Sequence, residues 1–305
     1  MFLRIDKLPI ELPTPKKIDP ESAAAVQELM GGRFGEMSTF NNYFTQSMNM
    51  RSKRQLGPFY ELVANIAAEE LGHIQIVGAA INALLNGPPE GKDQDDDVTG
   101  TPISKVTDEV NTYMAAHFIA GGRNALPVDS GGMPWTGQYV FSSGNLILDL
   151  LHNFFLENAA RTNKLRVYQM TKDPAAREML GYLFVRGGVH AAAYAKALEK
   201  LTGVRMSDML PIPKIGNEVF PEAKKYMDMA SHTKLYRLSP ADYQNLSAIW
   251  DGEAPEGGQC QVVDGPPDTM GDHIELDGIS SAFAPEYHPQ EIFEMAQKLY
   301  RKSKG

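Results

Sequence analysis

The chain of 305 residues is 43% hydrophobic and 22% charged, enough to bury a large core and far from the composition of a disordered segment or a miniprotein. Its 29 basic against 38 acidic side chains give a net charge of −9, which argues against a nucleic-acid partner. A single cysteine, Cys260, excludes an internal disulfide, a cysteine-based zinc ribbon and an iron–sulfur cluster, and points to a reducing compartment.

Residues 1–19 read as an N-terminal arm in which Arg4, Asp6 and Lys7 interrupt the apolar run, so neither a secretory leader nor a membrane span is expected. No later run reaches the roughly eighteen apolar residues a spanning helix needs, and the expectation is a soluble cytoplasmic protein with no membrane partner. The 3.6-residue pattern then predicts long helices over about 20–48, 58–86, 143–171 and 173–202. Asp19-Pro20 and Asp173-Pro174 are starts in which an aspartate caps and proline takes the first helical position. Gly57-Pro58 opens the second helix, while Asn86-Gly87-Pro88-Pro89 and Thr202-Gly203 are stops.

Short turns join the first pair and the last pair, so each is an antiparallel hairpin, whereas residues 87–142 make one long crossover. The fold class expected is therefore all-α, a four-helix bundle over 20–203 with one long connection. The crossover contains a short predicted helix near 104–119 and the acidic run Asp93, Asp95, Asp96 and Asp97, which reads as a solvated loop rather than a calcium site. From residue 204 to 305, prolines punctuate weak helical pieces around 221–231 and 289–301, an extended tail with short elements. It reads either as a small second domain or mobile tail, or as an arm wrapping neighbouring subunits.

Chemistry concentrates on the long helices. Glu70 and His73 are three residues apart and share a face with apolar neighbours Leu62, Ile66, Ile74 and Val77, so the pair points into the bundle. Buried charge needs a partner, and a metal ion is one. Glu36, Glu157 and His190 lie near the middle of the other three predicted helices, at a height where all five groups can meet. One carboxylate from each of two helices plus Glu-x-x-His from the others is the dinuclear carboxylate pattern of ferritin-like bundles; only Gly187, where a second glutamate would stand, breaks it.

The segments GGRFGEMST, ANIAAEELGHI, AAHFIAGG, SGNLILDLLHNFFLE, VRGGVHAAAY, MLPIPKI, VVDGPP and FAPEYHP make the chain resemble, over nearly its full length, the manganese catalases of the ferritin-like superfamily. That resemblance implies two manganese ions with a bridging water or hydroxide, hydrogen peroxide as substrate, and a hexamer. It implies Glu36, Glu70 and His73 on one ion, Glu157 and His190 on the other, and Glu70 bridging both. Three carboxylates and two neutral imidazoles leave one positive charge on a Mn(II) pair, which hydroxide cancels. Lys164 and Tyr43 each lie seven residues beyond a ligand, at nearly the same helical phase. Lys164 is expected to serve proton traffic rather than snorkel to solvent, and Tyr43 is either a second such group or a core tyrosine.

The chain departs from the family pattern at Gly187, at Leu156, where other members carry an arginine, and at Glu61 and Asn65, where some relatives carry two acidic residues that bind calcium; calcium is therefore doubtful here. Glu69, about 100° around the helix from Glu70, reads as a surface or inter-subunit charge. His117 and His152 read as core imidazoles, and His232, His273 and His288 as tail residues without ligand-spaced partners. Competing functions are a di-iron oxidase or ferritin-like iron store, and a non-catalytic, spore-coat-like bundle.

Overall fold

The computed structural model describes residues 4–88, 115–206, 216, 220–276 and 289–304. The first predicted helix is two: α1 (Pro20–Gly31) and α2 (Glu36–Asn49). A carboxylate oxygen of Asp19 accepts from the backbone N–H of Ser22 at 3.0 Å, the capping bond its sequence predicts. The chain breaks after Gly31 because the crossover crosses there: a Cβ at Gly31 would sit 2.4 Å from the Val128 carbonyl oxygen. Glu36 is consequently the first residue of α2, not a mid-helix residue as expected.

α3 (Gly57–Asn86), α5 (Leu146–Met170) and α6 (Pro174–Thr202) follow the predicted spans to within a few residues. Asn145 caps α5 by accepting from Ile147 and Leu148, and Asp173 caps α6 by accepting from Ala175 and Ala176. α2 packs on α3 and α5 on α6, while α3–α6 and α2–α5 contacts close the bundle. Within the crossover only α4 (Ala116–Ile119) of the short predicted helix is described, and the Asp93–Asp97 run lies outside the described residues. Gln27 of α1 ties the crossover down, its amide donating to the carbonyls of Leu126 and Val128.

The core has two apolar parts. Val26, Leu29, Ile76, Val77, Ile81, Leu84, Leu180 and Phe184 fill one end, and Leu62, Ile66, Leu150, Phe154, Val189 and Tyr194 the other. Residues 69–73 of α3 fall between these parts, so the bundle carries a charged layer at mid-height.

The tail is not wholly without strands. α7 (Pro221–Asp228) leads to β1 (Lys234–Arg237), which pairs in parallel with β2 (Gln261–Asp264) from Lys234↔Gln261 to Arg237↔Asp264. This part shares the bundle's own core: Leu235, Leu246, Ile249 and Trp250 pack in the cluster containing Leu62 and Leu198. Both carboxylate oxygens of Glu61 accept from Asn245, and Asn65 donates to the Tyr236 carbonyl while accepting from Leu238 N–H. The two positions weighed for calcium thus clamp the tail. Trp250 is buried and its indole N–H donates to the Thr233 carbonyl. Trp250→Ala should cost about 3–5 kcal/mol, read as a lower denaturant midpoint with helical content retained. α8 (Pro289–Lys304) closes the chain. Among the described residues no helix is long and apolar enough to cross a membrane.

Candidate metal centre

Helical phase brings together all five predicted ligands, each at most 2% exposed. Glu70 is at the centre. Its Oε2 lies 3.2 Å from Nδ1 of His73, one turn along α3, and its Oε1 lies 2.7 Å from Nδ1 of His190 on α6. Glu36 at the start of α2 stands 3.8 Å from His73 Nδ1, and Glu157 on α5 stands 3.4 Å from His190 Nδ1. The cluster therefore has two halves, each with one imidazole and one carboxylate of its own, and a carboxylate common to both. The two rings stack with centroids 5.5 Å apart.

Burial opposes charge on every group here, yet the charges sustain one another. Burial would lower the His73 imidazole, but the Glu70 carboxylate beside it dominates together with Glu69 and Glu36, and the pKa rises to about 9. His190 is raised well above its usual value against the same burial, by Glu69, Glu157 and Glu70. Glu70, which burial would raise, is held well below the carboxylate range by the two imidazoles. Glu36 is pushed up to about 7 by burial, with Glu70 adding to it and Lys164 opposing it. His190 Nδ1, which faces Glu70 and Glu157, is buried without a well-aligned hydrogen bond among the described residues. Imidazole and carboxylate donors converging on such an orphaned atom fit divalent manganese or iron.

Glu69 corrects the sequence reading. It is buried, not a surface charge, and faces the opposite nitrogen of both rings: Oε2 is 3.2 Å from His190 Nε2, and Oε1 is 3.7 Å from His73 Nε2. Arg186 donates to both of its oxygens, at 2.6 and 3.1 Å, and also to the carbonyls of Ser231 and Lys234 in the tail. One carboxylate anchored by one guanidinium therefore stands behind both imidazoles, on the side away from Nδ1. The 100° between neighbours on a helix gave no sign of this, because the partner comes from α6.

Lys164 is 2% exposed, with Nζ 2.8 Å from Glu36 Oε1, so it does not snorkel. The Tyr43 hydroxyl donates to Glu157 Oε1 at 2.8 Å. Thr39, which the sequence reading passed over, donates to Glu70 Oε2 at 2.8 Å; its place one turn after Glu36 was the available signal. The departure at Gly187 has a structural counterpart. A Cβ there would lie 3.1 Å from Cγ of Arg161 and 3.5 Å from Glu157 Oε2, so the Arg161 stem covers the space a glutamate would need. Among the histidines set aside, His117 contacts Gln27 Oε1 at 2.8 Å, His152 stacks on Phe141, and His232 contacts the Gly257 carbonyl. His273 lies 3.3 Å from Asp6, and His288 is outside the described residues.

Residues 1–305 match the family described as manganese containing catalase. The chain belongs to that family. This member of the manganese catalases is 29% identical over 267 residues to the uncharacterized protein YjqC of Bacillus subtilis, covering 87% of this chain and 91% of that protein. It is 33% identical over 188 residues to a manganese catalase of Bacillus subtilis, covering 61% of this chain and 66% of that protein. The crystal structure of KatB, a manganese catalase from Anabaena, is 23% identical with a TM-score of 0.52 over 87% of this chain and 100% of that one. The shared fold is the ferritin-like helical bundle.

Proposed function

We propose that this manganese catalase family member disproportionates hydrogen peroxide at a dimanganese centre. The observation that carries the reading is the division of the cluster around Glu70, whose two oxygens face two imidazoles that each have a further carboxylate. Glu36 and His73 would hold one manganese, Glu157 and His190 the other, with Glu70 and a water or hydroxide shared between them. When bound, the pair supplies a two-electron store, so that one peroxide is reduced to two waters and a second is oxidised to oxygen.

The chain's own groups supply the rest. Lys164 holds a proton at Nζ beside Glu36, on the first half of the cluster. Tyr43 holds one at its hydroxyl beside Glu157, on the other. Glu69 places its negative charge behind both imidazoles, on the side away from Nδ1. The apolar parts above and below exclude bulk water and strengthen these charges.

Iron suits the same donors, so the test begins with elemental analysis of purified protein and continues with an oxygen electrode. Manganese near two ions per subunit and one oxygen for each two peroxides are expected; bound iron, or loaded manganese without oxygen release, would overturn the reading. The proposal extends to a cytoplasmic homo-oligomer, with hexamer the size implied by the family resemblance. Its tail would be partly an arm, since α8 leaves Phe293, Leu299 and Tyr300 exposed. Light scattering on the same sample reads that size.

A further inference from the structure

A line of polar side chains leaves the metal centre along the seam between α2 and α5. On α5, Glu157, Asn153 and Asp149 recur every four residues, about 6 Å apart along the axis. On α2, Tyr43, Gln46 and Asn49 recur every three. Gln46 and Asn153 join the two rows with a reciprocal pair of amide hydrogen bonds, 2.9 Å in one direction and 2.7 Å in the other. Both are buried, at 3% and 0% exposure. On the inner side of the pair stand Tyr43, donating to Glu157, and Tyr194, whose buried hydroxyl lies near Asn153. On the outer side, Gln46 and Asp149 reach an open pocket of about 380 Å³ between the end of α2 and the start of α5, rimmed by Asn49, Arg51 and Gln55.

We propose that this pocket is the mouth through which hydrogen peroxide reaches the metal centre, and that Gln46 and Asn153 form its gate. The inference rests on the catalase reading above. Between Asp149 and Glu157 the seam presents amides and hydroxyls, and the paired carboxamides of Gln46 and Asn153 interrupt any run of hydroxyls that could pass protons along it. It offers alternating donors and acceptors instead, which match a small neutral molecule carrying both, as peroxide and water do. Ions find no compensating charge there. The gate is shut in this structure because each carboxamide satisfies the other and Gln46 also donates to the Phe141 carbonyl; turning the two amides exposes the same groups to an incoming molecule.

The test places a removable plug at the mouth. Asn49, exposed and remote from the ligands, is changed to Cys in a Cys260→Ser background, and the manganese-loaded protein is labelled with a bulky maleimide. Two readouts follow: kcat/KM for peroxide, and the rate at which azide, which enters as its neutral conjugate acid and binds metal as the anion, alters the spectrum of the loaded centre. Both should fall at least tenfold on labelling at unchanged manganese content. Gln46→Ala should raise the azide rate in unlabelled protein and leave it slow in labelled protein. An azide rate indifferent to complete labelling, or a maleimide that cannot reach Cys at position 49 in the folded protein, would overturn the proposal. An azide rate that responds while no oxygen evolves would sink the catalase reading and leave the route standing.

Discussion

Glu70→Gln should abolish oxygen release from peroxide and strip manganese from both positions, the largest effect of any single substitution in this chain. The side chain is common to both halves of the cluster, and each of its oxygens faces one imidazole. A neutral amide offers a single oxygen and two N–H donors, so one half would meet a donor where it needs an acceptor. The loss of charge compounds this, because Glu70 is held well below the carboxylate range by the two histidines. Substitution of an outer-shell partner commonly costs about 10–100-fold in metal affinity or activity, and a shared ligand should exceed that at both positions. His73→Ala removes a donor from one half only and should leave measurable manganese in the other. The check is metal per subunit with initial oxygen rates on the same preparations; near-parental values in both variants would exclude this cluster as the reacting centre.

Lys164→Ala should separate metal binding from turnover. An ammonium has no lone pair and cannot be a ligand, so the variant should retain manganese. Its loss removes the only lysine that touches the cluster among the described residues, and with it a proton held 2.8 Å from Glu36. A positioned acid–base group contributes roughly 10²–10⁴-fold, and kcat should fall within that range. Lys164 is buried and held charged against that burial by Glu36, Glu157 and Glu70, so the cavity left by alanine also removes a counter-charge to Glu36. Full metal with unchanged kcat would assign the lysine to charge balance alone; lost metal would make it structural.

The five clustered side chains were legible because their signal is local: a carboxylate and an imidazole three residues apart on an apolar face, and single carboxylates or imidazoles at matching heights on the other helices. Lys164 and Tyr43 were legible for the same reason, seven residues being close to two turns. Glu69 was not. Its meaning depends on Arg186, 117 positions away in the chain, and on a helix so enclosed that more than one face is interior. The strands escaped for a related reason. β1 and β2 are four residues each and pair in parallel across an intervening loop, so neither has a hairpin turn to announce it. The break after Gly31 was hidden because glycine interrupts the apolar pattern only weakly, while the carbonyl that forces it comes from Val128.

That break has a bearing on how the chain tolerates changes of length. In a continuous helix, one added residue turns everything beyond it by about 100° and would carry Glu36 away from the cluster. Here residues 32–35 lie between α1 and α2, and Glu36 takes its direction from the turn that starts α2. An insertion within α1 rotates α1 against its own neighbours and is absorbed before the ligand. The same insertion in α3 between Leu62 and Glu70 has no such buffer, and would displace Glu69, Glu70 and His73 together. Four of the five proposed ligands are tied to the register of a long helix, and the fifth is insulated from the helix that precedes it.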